Sequence, residues 1–181
     1  MDKETAEELT AYLEAGTSGS GMNFSDVNIG STFATISWGD LKPQIYKKGV
    51  PVIKDINETT ASVSIDYQIS AIADNGAIEV YDVTEFYRMR YTETRIMLLD
   101  FERSAQQVFN PKASVVSDKG LLLGVRDKDV HYVVNESGTA AAFVQQGDLW
   151  SYSPENGKIV KIFSFRGEEQ EDFRYVRQEH D

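Results

Sequence analysis

The chain of 181 residues contains no cysteine, which excludes disulfides, thiolate zinc sites and a cysteine nucleophile. Histidine is nearly as scarce. The only two, His131 and His180, are too few for a metal site built on a histidine cluster, and no cofactor or metal is expected. No stretch approaches the roughly 18–20 consecutive apolar residues of a membrane helix, so membrane insertion by this segment is not expected. The first fifteen residues also lack the basic and apolar regions of a secretory signal. Positive charge is in deficit, with 18 Lys and Arg against 29 Asp and Glu and a net charge of -11. Such a surface repels nucleic acid and anionic lipid at long range. It favours solubility and can attract basic partners. The missing cysteines leave the redox compartment open, and our reading leans towards an extracytoplasmic, cell-envelope location.

Familiar catalytic motifs are missing too. Gly16-Thr17-Ser18-Gly19-Ser20 fails the last position of a G-x-S-x-G elbow. Gly19-Ser20-Gly21 is followed by neither a third glycine nor a P-loop lysine. Asp127-Lys128-Asp129 lacks the spacing of a calcium loop and reads as a solvated turn.

What is present is enough apolar material for a core, 41% of residues, arranged mostly at strand spacing. Residues 2–15 read as a short amphipathic helix, with Ala6, Leu9 and Leu13 on one stripe and Tyr12 beside it. Leu9, Tyr12 and Leu13 are the residues expected to dock it on a surface, because so short a helix is not stable alone. Residues 16–21 contain only Gly, Ser and Thr and read as a flexible, engineered linker with a reach of roughly 13 Å. The helix is either native structure rejoined to the domain or a partner peptide tethered to it.

A β-rich domain is expected over residues 22–181, so the fold class is mainly β, antiparallel, with one short N-terminal helix. Residues 33–38 read as a strand, and 42–52, with Pro43 and Pro51, as a connector or edge. Residues 61–72 alternate cleanly: Val63, Ile65, Tyr67 and Ile69 face one way, Ser62, Ser64, Asp66, Gln68 and Ser70 the other. Asp74-Asn75-Gly76 marks a hairpin, with a return strand at 77–83. A further alternation covers 86–91, and residues 95–101 fit a buried strand or a short helix and read as strand. A turn is expected at 102–105, giving a hairpin that matches a later one at 149–163, about fifty residues on. Residues 129–134 and 139–145 read as two more strands around an Asn135-to-Gly138 turn. The acidic tail 167–181 reads as a surface strand, a solvated tail or a cut edge.

His131-Tyr132-Val133-Val134, the stretch from Gly138 to Phe143, and Gly147-Asp148-Leu149-Trp150-Ser151-Tyr152 followed by Asn156-Gly157-Lys158 resemble a blade of a TolB-like or prolyl-oligopeptidase-type β-propeller. The resemblance covers residues 129–165, about a fifth of the chain. It implies a fragment of a larger propeller, since closed rings need four or more blades, and a role as a binding platform or gate.

The candidate ligand-binding residues are Tyr87, Tyr91 and Trp150, whose flat rings can stack on a sugar or receive a peptide, and Arg88 and Arg90, which share a strand face and can clamp a carboxylate. Trp38 and Tyr152 belong to the same aromatic set. The bland alternatives are core packing for the rings and cross-strand ion pairs for the arginines. Asp66, Asp82, Glu85 and Asp100 are the carboxylates available for a hydrolytic pair. His131 is expected as a half-buried strand residue. The function expected is a noncatalytic binding or scaffold module, a fragment of a bacterial cell-envelope protein with a protein or peptide partner. The alternatives are the propeller portion of a peptidase-type enzyme and a carbohydrate-binding module.

Overall fold

The computed structural model describes residues 12–13, 23–113, 115–117, 119–124 and 130–165. Among these residues it is mainly β and antiparallel, with one short helix. The chain divides into two compact units, one holding the first six strands and the other the last six.

The first unit is a six-stranded sheet. Its strands are β1 (Asp26–Asn28), β2 (Gln44–Lys47), β3 (Val52–Ile56), β4 (Thr60–Ile72), β5 (Ile78–Tyr91) and β6 (Ile96–Gln107). The order is β1-β6-β5-β4-β2, with β3 also paired to β4. The long β4-β5-β6 meander is its frame. Asp74-Asn75-Gly76 turns β4 into β5 as expected: Gly76 takes φ 80°, and the Asn75 Oδ1 accepts the Ala77 N–H at 2.9 Å. Left-handed backbone of this kind is cheap for glycine.

Three expectations are corrected here. The return strand does not pause between 83 and 86, because β5 runs unbroken through Thr84 and Glu85. The turn expected at 102–105 is absent. Glu102, Arg103, Ser104 and Ala105 all pair in register with Phe86, Glu85, Thr84 and Val83, and the segment has none of the Gly, Pro, Asn or Asp that turns demand. The fifty-residue repeat of hairpins disappears with it. Residues 33–38 are not a strand. Thr32 caps a four-residue helix, α1 (Phe33–Ile36), its hydroxyl accepting the Thr35 N–H at 3.4 Å, and a 3₁₀ turn follows at Gly39–Leu41. The cap overrides the β-prone composition of Phe33, Thr35 and Ile36.

The edge expected at 42–52 is present as β2 and the start of β3. Both pair with β4, β2 near Ile69 and β3 near Val63. Between them Gly49 presses on the Asp66 carbonyl so closely that any Cβ there would collide with backbone. The core of this unit is Ile69, Ala71, Tyr81, Val83 and Ala105, with Trp38, Leu41 and Tyr67 packed against it.

The second unit holds a two-stranded ribbon, β7 (Val116–Ser117) and β8 (Gly120–Leu121), and a four-stranded meander. The meander comprises β9 (Tyr132–Val134), β10 (Ala141–Gln145), β11 (Asp148–Ser153) and β12 (Lys158–Ser164), in the order β12-β11-β10-β9. Its turns fall where the sequence places them. Gly138 and Gly157 take φ 68° and 65°, and Asn135 Oδ1 accepts the Ala140 N–H. The core is aromatic: Phe109 meets Phe143 and Trp150 edge-on at centroid distances of 5.4 and 5.3 Å. Tyr152 completes the cluster, and Val115, Leu121 and Leu123 pack on it.

The tether at 16–21, the acidic tail at 167–181, His180 and Asp127-Lys128-Asp129 lie outside the described residues. No helix among the described residues is long and apolar enough to cross a membrane.

Candidate functional site

Three strands bring one polar cluster together on the face of the first sheet that also carries its core. Glu85 on β5 stands directly opposite Arg103 on β6. Two residues along the same strand is Tyr87, and Tyr67 lies one strand over, opposite Val83. Both phenols donate to Glu85, Tyr67 to Oε1 at 2.9 Å and Tyr87 to Oε2 at 2.6 Å. Tyr87 also packs its ring on Phe101, centroids 5.2 Å apart.

Arg103 is only 3% exposed. It reaches across to the short helix, donating from Nη1 to the Ile36 carbonyl at 2.7 Å and from Nη2 to the Thr35 carbonyl at 3.0 Å. These carbonyls are at the helix C-terminus, where a cation is favoured. The guanidinium also stacks on Trp38, 3.8 Å from the ring centroid, a cation–π contact strengthened by burial. Its Nε is buried with no hydrogen-bond partner among the described residues.

Burial, then the nearby Glu85 charge and its hydrogen bond, push the Tyr67 phenol above its usual range. Burial and the Glu85 hydrogen bond do the same for Tyr87. Burial pulls Arg103 below the usual arginine value, while Tyr67, Glu85 and Tyr87 act to raise it. The tyrosines are thus held as neutral donors to a carboxylate. An arrangement in which both carboxylate oxygens are occupied and the arginine is spent on main-chain carbonyls fixes one structure more readily than it turns over a substrate. A second tyrosine–carboxylate contact occurs on β5, where the Tyr81 hydroxyl donates to Glu79 at 2.6 Å and burial raises its pKa.

The residues singled out from sequence do not converge on one site. Tyr87 belongs to the cluster, with its hydroxyl committed to Glu85. Arg88 and Arg90 alternate onto the opposite face, where Arg88 is exposed and stands opposite Asp100 and Ser62. Tyr91, at the end of β5, is 63% exposed. Trp150 is only 4% exposed within the aromatic core of the second unit and so presents no face to a ligand. Tyr152 is buried beside it. His131 is exposed and precedes β9 rather than lying half-buried in a strand.

Of the docking residues expected in the N-terminal helix, Leu9 lies outside the described residues, Tyr12 is half exposed, and Leu13 makes an isolated parallel bridge to Leu98. The carboxylates are dispersed. Asp66 accepts from Thr84 and Asp82 from Gln68 on the face away from Glu85. No group of three or more His, Asp or Glu suited to a metal occurs among the described residues.

Arg103 was missed because the turn expected at 102–105 covered it. The signal was available: Phe101, Arg103 and Ala105 alternate in strand period, which puts an arginine on an apolar face. A scan against protein-family models gives no match to this chain, and searches of the curated proteins and of the solved structures give none either.

Proposed function

We propose that the chain is a noncatalytic binding or scaffold module, a fragment of a larger bacterial cell-envelope protein, which engages a protein or peptide through its four-stranded sheet. The observation that carries this reading is the sheet face opposite Trp150 and Phe143. Val133, Ala142, Ser151 and Val160 form one cross-strand row on it, and Val144, Leu149 and Phe163 form the next. Val133 and Phe163 are 68% and 56% exposed, and Val144 and Val160 are exposed as well. Contiguous apolar surface of this kind is characteristic of interaction sites. The first sheet supports the noncatalytic part of the reading, because its ionisable cluster is committed to internal contacts.

The propeller-type reading draws support from the four-stranded antiparallel meander of β9 to β12 and makes the same face the place where a neighbouring sheet would pack. A carbohydrate platform is disfavoured, because Trp150 is buried and the exposed Phe163 and Phe165 rings meet at 76° rather than lying coplanar.

Selection of displayed peptides against the immobilised full chain tests the proposal. Enriched peptides should lose binding to a Val133→Asp/Val160→Asp variant, shown by circular dichroism to be folded, and keep binding to Arg88→Ala. Enrichment indifferent to Val133 and Val160, or none above a blank surface, would sink it.

A further inference from the structure

We propose that residues 32–42 form a hinged cover on the first sheet and that Arg103 is its latch. Three observations converge on this segment. The first is how little else holds it. No residue of α1 is fully buried, and a four-residue helix has no stability of its own. Among the described residues it is tied to the sheet by the two Arg103 hydrogen bonds to Thr35 and Ile36, the stacking of that guanidinium on Trp38, and the packing of Trp38 and Leu41 on the core.

The second observation is stored strain. Trp38 and Lys42 bracket the 3₁₀ turn with φ 68° and 45°, left-handed conformations that side chains with a Cβ resist. Such outliers persist only where surrounding contacts enforce them, and they cluster at segments that switch. The third is an uncompensated group. In the closed arrangement the Arg103 Nε is buried without a hydrogen-bond partner among the described residues, a cost that opening to water removes.

Strain and the stranded Nε favour the open state, and the arginine fork and its ring contact favour the closed one. Opening swings α1 and the 3₁₀ turn away about Lys42. That uncovers the floor of Ile69, Val83 and Ala105, while β4, β5 and β6 keep their ladder. The device is local, so it differs from unfolding of the sheet.

Amide hydrogen exchange on the full chain tests this. The reporters are the N–H groups of Ile36, Ser37, Trp38 and Leu41, which bond within the segment to Thr32, Phe33, Thr35 and Trp38. In the wild type they should exchange at least tenfold faster than amides of central β4 and β5, with a denaturant dependence well below that of those strands, since only the small area under Trp38 and Leu41 is exposed. Lys42→Gly relieves strain at an exposed residue and should slow the four reporters several-fold. Arg103→Met should accelerate them at least tenfold and leave central β4 and β5 unchanged. Exchange of the reporters in step with β4 and β5 in the wild type would overturn the proposal, as would no slowing in Lys42→Gly. If Arg103→Met unfolds the whole chain, the wild type and Lys42→Gly still decide.

Discussion

On the first sheet, one interior face passes from Ile69, Val83 and Ala105 into a polar cluster of Arg103, Glu85, Tyr67 and Tyr87. On the four-stranded sheet, the interior is Phe109, Phe143, Trp150 and Tyr152. The first arrangement depends on direction. Each phenol and each terminal guanidinium nitrogen has one acceptor, and the arginine dictates where α1 must lie. The second depends on volume, with rings meeting edge-on at 71° and 84°. A polar interior therefore specifies which segment covers the sheet, whereas an aromatic one supplies packing energy with less say over what covers it.

Substitutions should separate the two, beginning with the largest effect. Trp150→Ala removes the ring at the centre of the aromatic cluster and should cost about 3–5 kcal/mol. The loss is expected as a lower denaturant midpoint for the second unit, while exchange-protected amides of β4 and β5 in the first keep their protection. Glu85→Gln should cost about 2 kcal/mol, because Tyr67 and Tyr87 lose a charged acceptor and Arg103 loses its facing charge. Its signature is a lower denaturant midpoint for the first unit, with near-ultraviolet dichroism from the Trp150 region intact.

Alkaline titration should sharpen the contrast further. Tyr67, Tyr81 and Tyr87 all have raised pKa values in the folded first unit. Above about pH 10 the unfolded phenols ionise first, so the unfolded state holds fewer protons and stability falls as pH rises. Urea midpoints of the first unit measured at pH 8, 10 and 11 should decline, and Tyr87→Phe should make the decline shallower. The smallest effect is expected for Arg88→Ala, an exposed residue facing Asp100, at about 0.5 kcal/mol or less. A loss above 1 kcal/mol by the same assay would mean that the outer face of the first sheet carries structure of its own.

The meander strands were legible in the sequence where alternation and turn chemistry agreed. The alternation of residues 61–72 and the turn chemistry of Asp74-Asn75-Gly76 and of Asn135 to Gly138 adjoin strands that each lie where expected. The failures share a cause. At 102–105 a turn was inferred from polarity alone, yet Arg103 and Glu102 are strand residues whose neighbours are long-range: Glu85, Phe86 and α1. At 33–38 composition favoured a strand, but Thr32 as a cap and a distant arginine at the other end select a helix. β3 escaped notice because Val52 to Ile56 is exposed throughout and so lacks a buried face to impose alternation. The cluster at Glu85, unlike the alternation around Arg103, was illegible because it exists only when β4, β5 and β6 are in register.

Gly49 has a consequence for solubility. By wedging against Asp66 it splits what would be one long edge into β2 and β3, and each half carries a register irregularity of its own. Pro51 and the exposed Lys47, Lys48 and Lys54 lie along the same border. Such a border is a poor template for an incoming strand, so fibril growth by strand addition is disfavoured along it. β9, with Tyr132, Val133 and Val134 all exposed and no proline or lysine among them, has only its shortness as protection among the described residues. If this chain aggregates on storage, growth should start there, and a lysine at position 133 should suppress it.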